Sequence, residues 1–188
     1  MSNRYHLYLD LPVPFAYPEI VVPNVLKPHH AKIDRSQLGK EFVGWIHSLG
    51  LMLREGERVG EYFYTPANGC VPMHTDKHFI NDAIKLNWMV GGESSTMDWY
   101  ELVPGKSLTQ SHTDLKTAYA YAQPEDVVHA YGAKIGGPSL VNVGRLHSLT
   151  NGPEPSHVYC VYVDDPTTGK RLQWDDACRY FSKWMRDV

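Results

Sequence analysis

Apolar positions recur at helical steps near residues 35–50, where Leu38, Phe42, Trp45, Ile46 and Leu49 fall on one face. Asp34-Arg35-Ser36 supplies a helix start, and Gly50 sits where that helix would stop. A second stripe of Trp174, Ala177, Phe181, Trp184 and Met185 predicts an amphipathic helix over residues 174–187. Between the two, the pattern is that of strands bounded by Gly, Pro and Asp turns. Strands are expected at Val59–Tyr64, Cys70–His74, Ile84–Val90, Thr96–Val103, Ser139–Val143 and Val158–Val163. Five prolines (Pro12, Pro14, Pro18, Pro23, Pro28) keep the first thirty residues from forming helices and favour extended or edge-strand segments. Many short strands with two supporting helices predict a mainly β, jelly-roll barrel over residues 58–165 of a single 188-residue domain.

Composition narrows the function classes. Hydrophobic residues make up 43% and charged residues 21%, values of an ordinary folded domain rather than a disordered chain. A net charge of −3 without a Lys/Arg run gives no electrostatic footprint for nucleic acid. No apolar run approaches membrane-spanning length, and Met1-Ser2-Asn3-Arg4-Tyr5-His6 lacks the apolar region of a secretory signal. Three cysteines (Cys70, Cys160, Cys178) without CxxC spacing argue against a disulfide framework, so a cytoplasmic location is expected.

Candidate chemistry lies in Met73-His74-Thr75-Asp76. Side chains two residues apart share one face of an extended strand, so His74 and Asp76 converge. His147 follows 73 residues after His74, enough chain to cross a small barrel and return beside the pair. Two histidines and one carboxylate form a facial triad with open positions, the donor set of non-haem Fe(II). The tripeptide alone arises often by chance, and a second copy, His112-Thr113-Asp114, sits in a Ser/Thr-rich connection. The first copy, between a Tyr-x-Pro loop and a β-rich stretch, is the favoured ligand pair. His78 is a candidate to pack beside Asp76.

Tyr64-Thr65-Pro66-Ala67-Asn68-Gly69 through His74-Thr75-Asp76, then Leu86-Asn87-Trp88, and Leu140-Val141-Asn142-Val143 into His147-Ser148-Leu149-Thr150-Asn151 carry a family resemblance. Over roughly Tyr62–Val163 the chain resembles the 2-oxoglutarate/Fe(II)-dependent oxygenases, most of all small prolyl- or aspartyl-hydroxylase-like members of bacteria and phages. The resemblance implies a double-stranded β-helix (the cupin-like jelly roll), with His74, Asp76 and His147 as metal ligands and no further catalytic side chain. It also implies 2-oxoglutarate as co-substrate, decarboxylated to succinate while an unactivated C–H of a peptidyl or small-molecule substrate is hydroxylated.

Members of that family carry an Arg or Lys about ten residues past the distal histidine, as anchor for the far carboxylate of 2-oxoglutarate. Glu154-Pro155-Ser156-His157-Val158 has none. Replacement anchors are Arg145, two residues before His147; Lys85, on the face of Asn87; or a polar set of His157 with Ser156 and Tyr64. Each of these has a plain structural role as its alternative, a salt-bridged loop for Arg145 and an exposed strand face for Lys85. Two other readings stay open: a cupin-like metalloenzyme that uses no 2-oxoglutarate, and a non-catalytic β-barrel that serves as a structural or binding module.

Overall fold

The computed structural model describes residues 3–54, 56 and 58–186, so Met1, Ser2 and the last expected helix position, Asp187, lie outside the described residues. In chain order the strands are β1 (His6–Tyr8), β2 (His29–Asp34), β3 (Met52–Leu53), β4 (Arg58–Thr65), β5 (Cys70–His74) and β6 (Ile84–Gly91). They continue with β7 (Thr96–Leu102), β8 (Thr109–His112), β9 (Ala118–Tyr121), β10 (Val127–Lys134) and β11 (Ser139–Asn142). The last are β12 (Leu146–Thr150), β13 (Ser156–Val161), β14 (Val163–Asp165) and β15 (Lys170–Arg171). Two helices, α1 (Lys40–Ser48) and α2 (Trp174–Phe181), flank this series. Strand accounts for 44% of the chain and helix for 14%, so the mainly β expectation with supporting helices holds.

A six-stranded sheet runs β1-β11-β6-β13-β4-β2, and a four-stranded sheet runs β10-β7-β12-β5. A small sheet, β15-β14-β3, and the hairpin β8-β9 complete the set. The pairings that define these sheets are antiparallel, for example Tyr62 opposite Tyr159 and Tyr159 opposite Trp88. That register gives the six-stranded sheet two unlike faces. On one, Tyr62, Tyr64, Leu86, Trp88, Tyr159 and Val161 pack with Phe42, Ile46 and Phe181 of the helices. On the other, Phe63, Met89, Val141, Val158 and Cys160 pack against Met97, Trp99 and Leu149 of the four-stranded sheet. The alternation of β4 and β6 thus sorts one set of side chains towards the helices and the other into the space between sheets.

The expected elements are displaced in instructive places. The helix expected from residue 35 opens as a 3-10 turn at Arg35–Gln37, breaks at extended Leu38 and restarts as α1 with Gly39 as N-cap. Its stripe is seated as expected, with Phe42, Trp45 and Ile46 buried, and Gly50 ends it at a φ of +73°, a conformation glycine adopts without strain. The proline-rich segment yields β1 and β2, which occupy the two edges of the six-stranded sheet. Phe15, from between them, stacks on Trp88 at 3.9 Å between ring centroids and meets Phe42 edge-on. Phe42→Ala is expected to cost about 3–5 kcal/mol, the usual loss for a buried phenylalanine, as read by urea unfolding. No helix among the described residues is long and apolar enough to cross a membrane.

Candidate metal centre

Strands β5 and β12 are neighbours, and their register places His147 directly opposite His74. Trp99 of β7 lies opposite His147 on its other side, so both imidazoles point into the space between the two main sheets. Beyond His74 the chain is fixed by backbone bonds rather than by a continuing ladder. Thr75 exchanges hydrogen bonds with Ala120, the Asp76 N–H donates to the Val143 carbonyl at 3.0 Å, and the Thr75 hydroxyl donates to the Gly144 carbonyl at 2.9 Å. The turn at Gly144 approaches closely: a Cβ there would lie 2.1 Å from Asn81 Oδ1. Glycine therefore lets this turn clamp the His74–Asp76 segment against the start of β12.

One ligand atom from each of His74, Asp76 and His147 lies within 4.8 Å of the other two. His74 Nδ1 is 2.8 Å from the Pro72 carbonyl, and His147 Nδ1 is 2.8 Å from the Arg145 carbonyl. A carbonyl only accepts, so each Nδ1 carries a ring proton, which leaves Nε2 as the atom of each ring that can ligate. His74 Nε2 in turn faces Asp76 Oδ1 at 3.4 Å. Three potential donor atoms therefore converge, an arrangement that a cation can satisfy. Burial, followed by the neighbouring His74, pushes the His147 pKa down to about 3, so its ring is neutral and ready to ligate. Burial alone would raise the Asp76 pKa, but the Lys85 ammonium beside it holds it well below the ordinary carboxylate value. Two imidazoles and a carboxylate are a donor set that can hold a divalent metal ion.

Asp76 is also tied to a buried ionic network. Lys85 Nζ lies 2.5 Å from Asp76 Oδ2 and 2.9 Å from Glu61 Oε2. Glu61 is 1% exposed, and its other oxygen meets Arg58, the Thr117 hydroxyl and His30 Nε2. Burial disfavours the Lys85 charge, yet Asp76 and the Tyr162 phenol beside it more than compensate and raise its pKa. Lys85 is thus neither an exposed strand residue nor a free anchor, because its one charge serves two carboxylates.

The other expected co-substrate residues are not brought together. Arg145 lies in the turn before β12, where strand alternation does not apply, and its guanidinium forms a two-point pair with Asp82 at 2.8 and 3.0 Å. Tyr64 and His157 lie on the helix-facing side of the six-stranded sheet, opposite to Lys85. There the Tyr64 hydroxyl donates to the Val25 carbonyl, and His157 Nδ1 is bonded to the Tyr62 hydroxyl at 2.7 Å. Their expected place beside the triad is corrected by the register of β4 and β13. Asn87 does share the inner face of Lys85, and its Oδ1 is buried without a hydrogen-bond partner. His78 is bonded to the Ser111 carbonyl and packs edge-on to His112, so it fastens the β8-β9 hairpin instead of supporting Asp76. The second tripeptide lies on that hairpin, with His112 and Asp114 both exposed.

Sequence reasoning passed over Glu61, Arg58, Thr117 and Arg171. A signal existed for the first: Glu61 interrupts an otherwise apolar strand on the same face as Phe63.

Acid should destabilise the metal-free protein through its buried imidazoles. Burial lowers the pKa of His6 and of His30 to about 4, and His147 is lower still. Unfolding returns each to about 6.5, so the unfolded chain binds more protons below that pH. Their contribution is complete above pH 6.5 and is lost as the pH falls towards 4. Urea unfolding in EDTA is expected to show a loss on the order of 5 kcal/mol between pH 7 and pH 5. No family model matches the chain, and no curated protein matches it.

Proposed function

We propose that the chain is an Fe(II)-dependent oxygenase whose two main sheets are the halves of a double-stranded β-helix, with 2-oxoglutarate as co-substrate. The observation that carries this reading is the convergence of one ligand atom each from His74, Asp76 and His147 within 4.8 Å, with the Nδ1 of both imidazoles bonded to backbone carbonyls. The strand orders β11-β6-β13-β4 and β5-β12-β7-β10 support the fold, since each sheet interleaves strands distant in sequence, as in a jelly roll.

In this reading the side chains do the binding and positioning. His74 and His147 give lone pairs, and Asp76 gives the one negative charge. Lys85 holds Asp76 Oδ2, which leaves Oδ1 turned towards the histidines. Trp99, Met97 and Leu149 keep the space behind His147 apolar and exclude water from that side. Bound Fe(II) would supply oxygen activation and hydrogen abstraction from a C–H, with 2-oxoglutarate as the two-electron reductant. The substrate is a peptidyl side chain or a small molecule.

One observation favours a second reading, a cupin-like metalloenzyme that does not use 2-oxoglutarate. The buried cation on the inner face of the six-stranded sheet, Lys85, is already committed to Asp76 and Glu61. A single assay separates the two. Succinate release from 2-oxoglutarate that requires both Fe(II) and O2 supports the oxygenase, and Fe(II) binding without turnover supports the alternative. If Fe(II) titration detects no binding that depends on His74 and His147, neither metalloenzyme reading survives.

A further inference from the structure

Asp76 and Glu61 form the acidic wall of a polar cavity of about 90 Å³, lined also by Arg54, Arg58, Lys77, Thr117 and Arg171. The ionic groups around it do not balance. Arg54 pairs with Asp164, Arg58 with Glu61, and Lys85 with Asp76. Among the described residues, Arg171 and Lys77 have no carboxylate within ion-pair distance.

Arg171 is the telling member. It is 9% exposed, its Nε is buried without a hydrogen-bond partner, and its guanidinium carbon lies 4.2 Å from the centroid of the Tyr162 ring. The ring face offsets part of the cost of burial but leaves the charge and the donor unsatisfied. A guanidinium held in such a place is matched by a two-pronged anion, a carboxylate or phosphate. The cavity has room for a group of that size, and Thr117 adds a hydroxyl to its wall.

We propose that this cavity binds the carboxylate or phosphate group of a ligand whose other end reaches the metal, with Arg171 and Lys77 as the pairing cations. The position differs from a cation on the strand after His147. Arg171 and Arg54 come from the small sheet β15-β14-β3 and its edge, outside the two sheets that carry the triad. The adjoining metal rests on the reading given above, whereas the anion site stands on Arg171 and the cavity alone.

Isothermal titration of the whole protein with glutarate, inorganic phosphate and 2-oxoglutarate, metal-free and with Mn(II), tests this. Glutarate or phosphate should bind the metal-free wild type, and Arg171→Gln should weaken that binding about tenfold or more. Arg171→Lys should weaken it less, because the charge remains. Lys77→Gln, at a partly exposed position, gives a second variant that does not disturb the buried guanidinium. If Arg171→Gln weakens Mn(II)-dependent 2-oxoglutarate binding equally, the anion is that of the co-substrate. If it spares 2-oxoglutarate and weakens only glutarate or phosphate, the anion belongs to the substrate. The proposal is overturned if neither glutarate nor phosphate binds the wild type, or if folded Arg171→Gln and Lys77→Gln bind them as the wild type does. Mn(II) binding, read separately by its electron paramagnetic resonance signal, keeps the two readings apart. Anion binding without Mn(II) binding sinks the metal reading only, and the reverse sinks the anion site only.

Discussion

His147→Ala is expected to weaken Fe(II) or Mn(II) binding by more than about 100-fold, since loss of a group that merely orients a ligand already costs about 10–100-fold. His74→Ala should do the same. Each imidazole bonds a backbone carbonyl through Nδ1 and contributes one ligand atom to the cluster, so removal of either leaves two donors, too few to define one face of a metal. The internal control is the second tripeptide. His112→Ala and Asp114→Ala remove the same residue types from an exposed hairpin and should leave metal affinity within about twofold of the wild type, a difference of under half a kcal/mol. Mn(II) titration followed by the loss of its free electron paramagnetic resonance signal measures all four variants. Equal affinities across the four would remove the assignment of the triad. His147→Asn, whose amide N–H takes the place of Nδ1 and can donate to the Arg145 carbonyl while offering no atom at the Nε2 position, makes the loss of affinity report on ligation rather than on folding.

The convergence of His74, Asp76 and His147 was legible because it follows from strand periodicity and a return of the chain, and β5 and β12 supply both. The strands with clear alternation, β4, β5, β6, β7 and β11, were legible for the same reason. Others gave no such signal. In β10 only alternate residues such as Tyr131 and Ala133 touch the core, and the strand lies at the edge of its sheet, so its sequence is mostly polar or small. The hairpin β8-β9 is set by pairing with itself and by the Thr75–Ala120 bridge, a contact across 45 residues that no local pattern encodes. Anchor residues fared worst, because a cation's partner is decided by tertiary contact. Arg145 and Lys85 look alike as exposed or functional cations in sequence, yet one is held by Asp82 near the surface and the other is buried between two carboxylates. Arg171 lies in a turn-rich Gly-Lys-Arg stretch that reads as solvated, and its burial comes from its pairing with β14 and from the ring of Tyr162.

Lys85→Met should show how far the metal and this lysine share one task. Lysine and methionine have similar length, so the substitution removes the charge and little volume. It leaves Asp76 and Glu61 buried, with Arg58 the close cationic partner of Glu61 and none for Asp76. Breaking a buried ion pair from one side typically costs about 3–5 kcal/mol, and that loss is expected in urea unfolding of the metal-free variant at pH 7.5. A divalent ion bound at Asp76 restores a counter-charge, so the variant should recover more stability from Mn(II) than the wild type gains. At a concentration 100 times the dissociation constant, the gain from ligation is about 2.7 kcal/mol, and any tighter binding by the variant adds to it. The double variant Lys85→Met/His147→Ala separates the causes, since relative to His147→Ala alone it should show a similar metal-free loss with no Mn(II) rescue. Equal Mn(II) stabilisation of wild type and Lys85→Met would mean that Lys85 balances Glu61 alone, and that Asp76 meets the metal without regard to the lysine beside it.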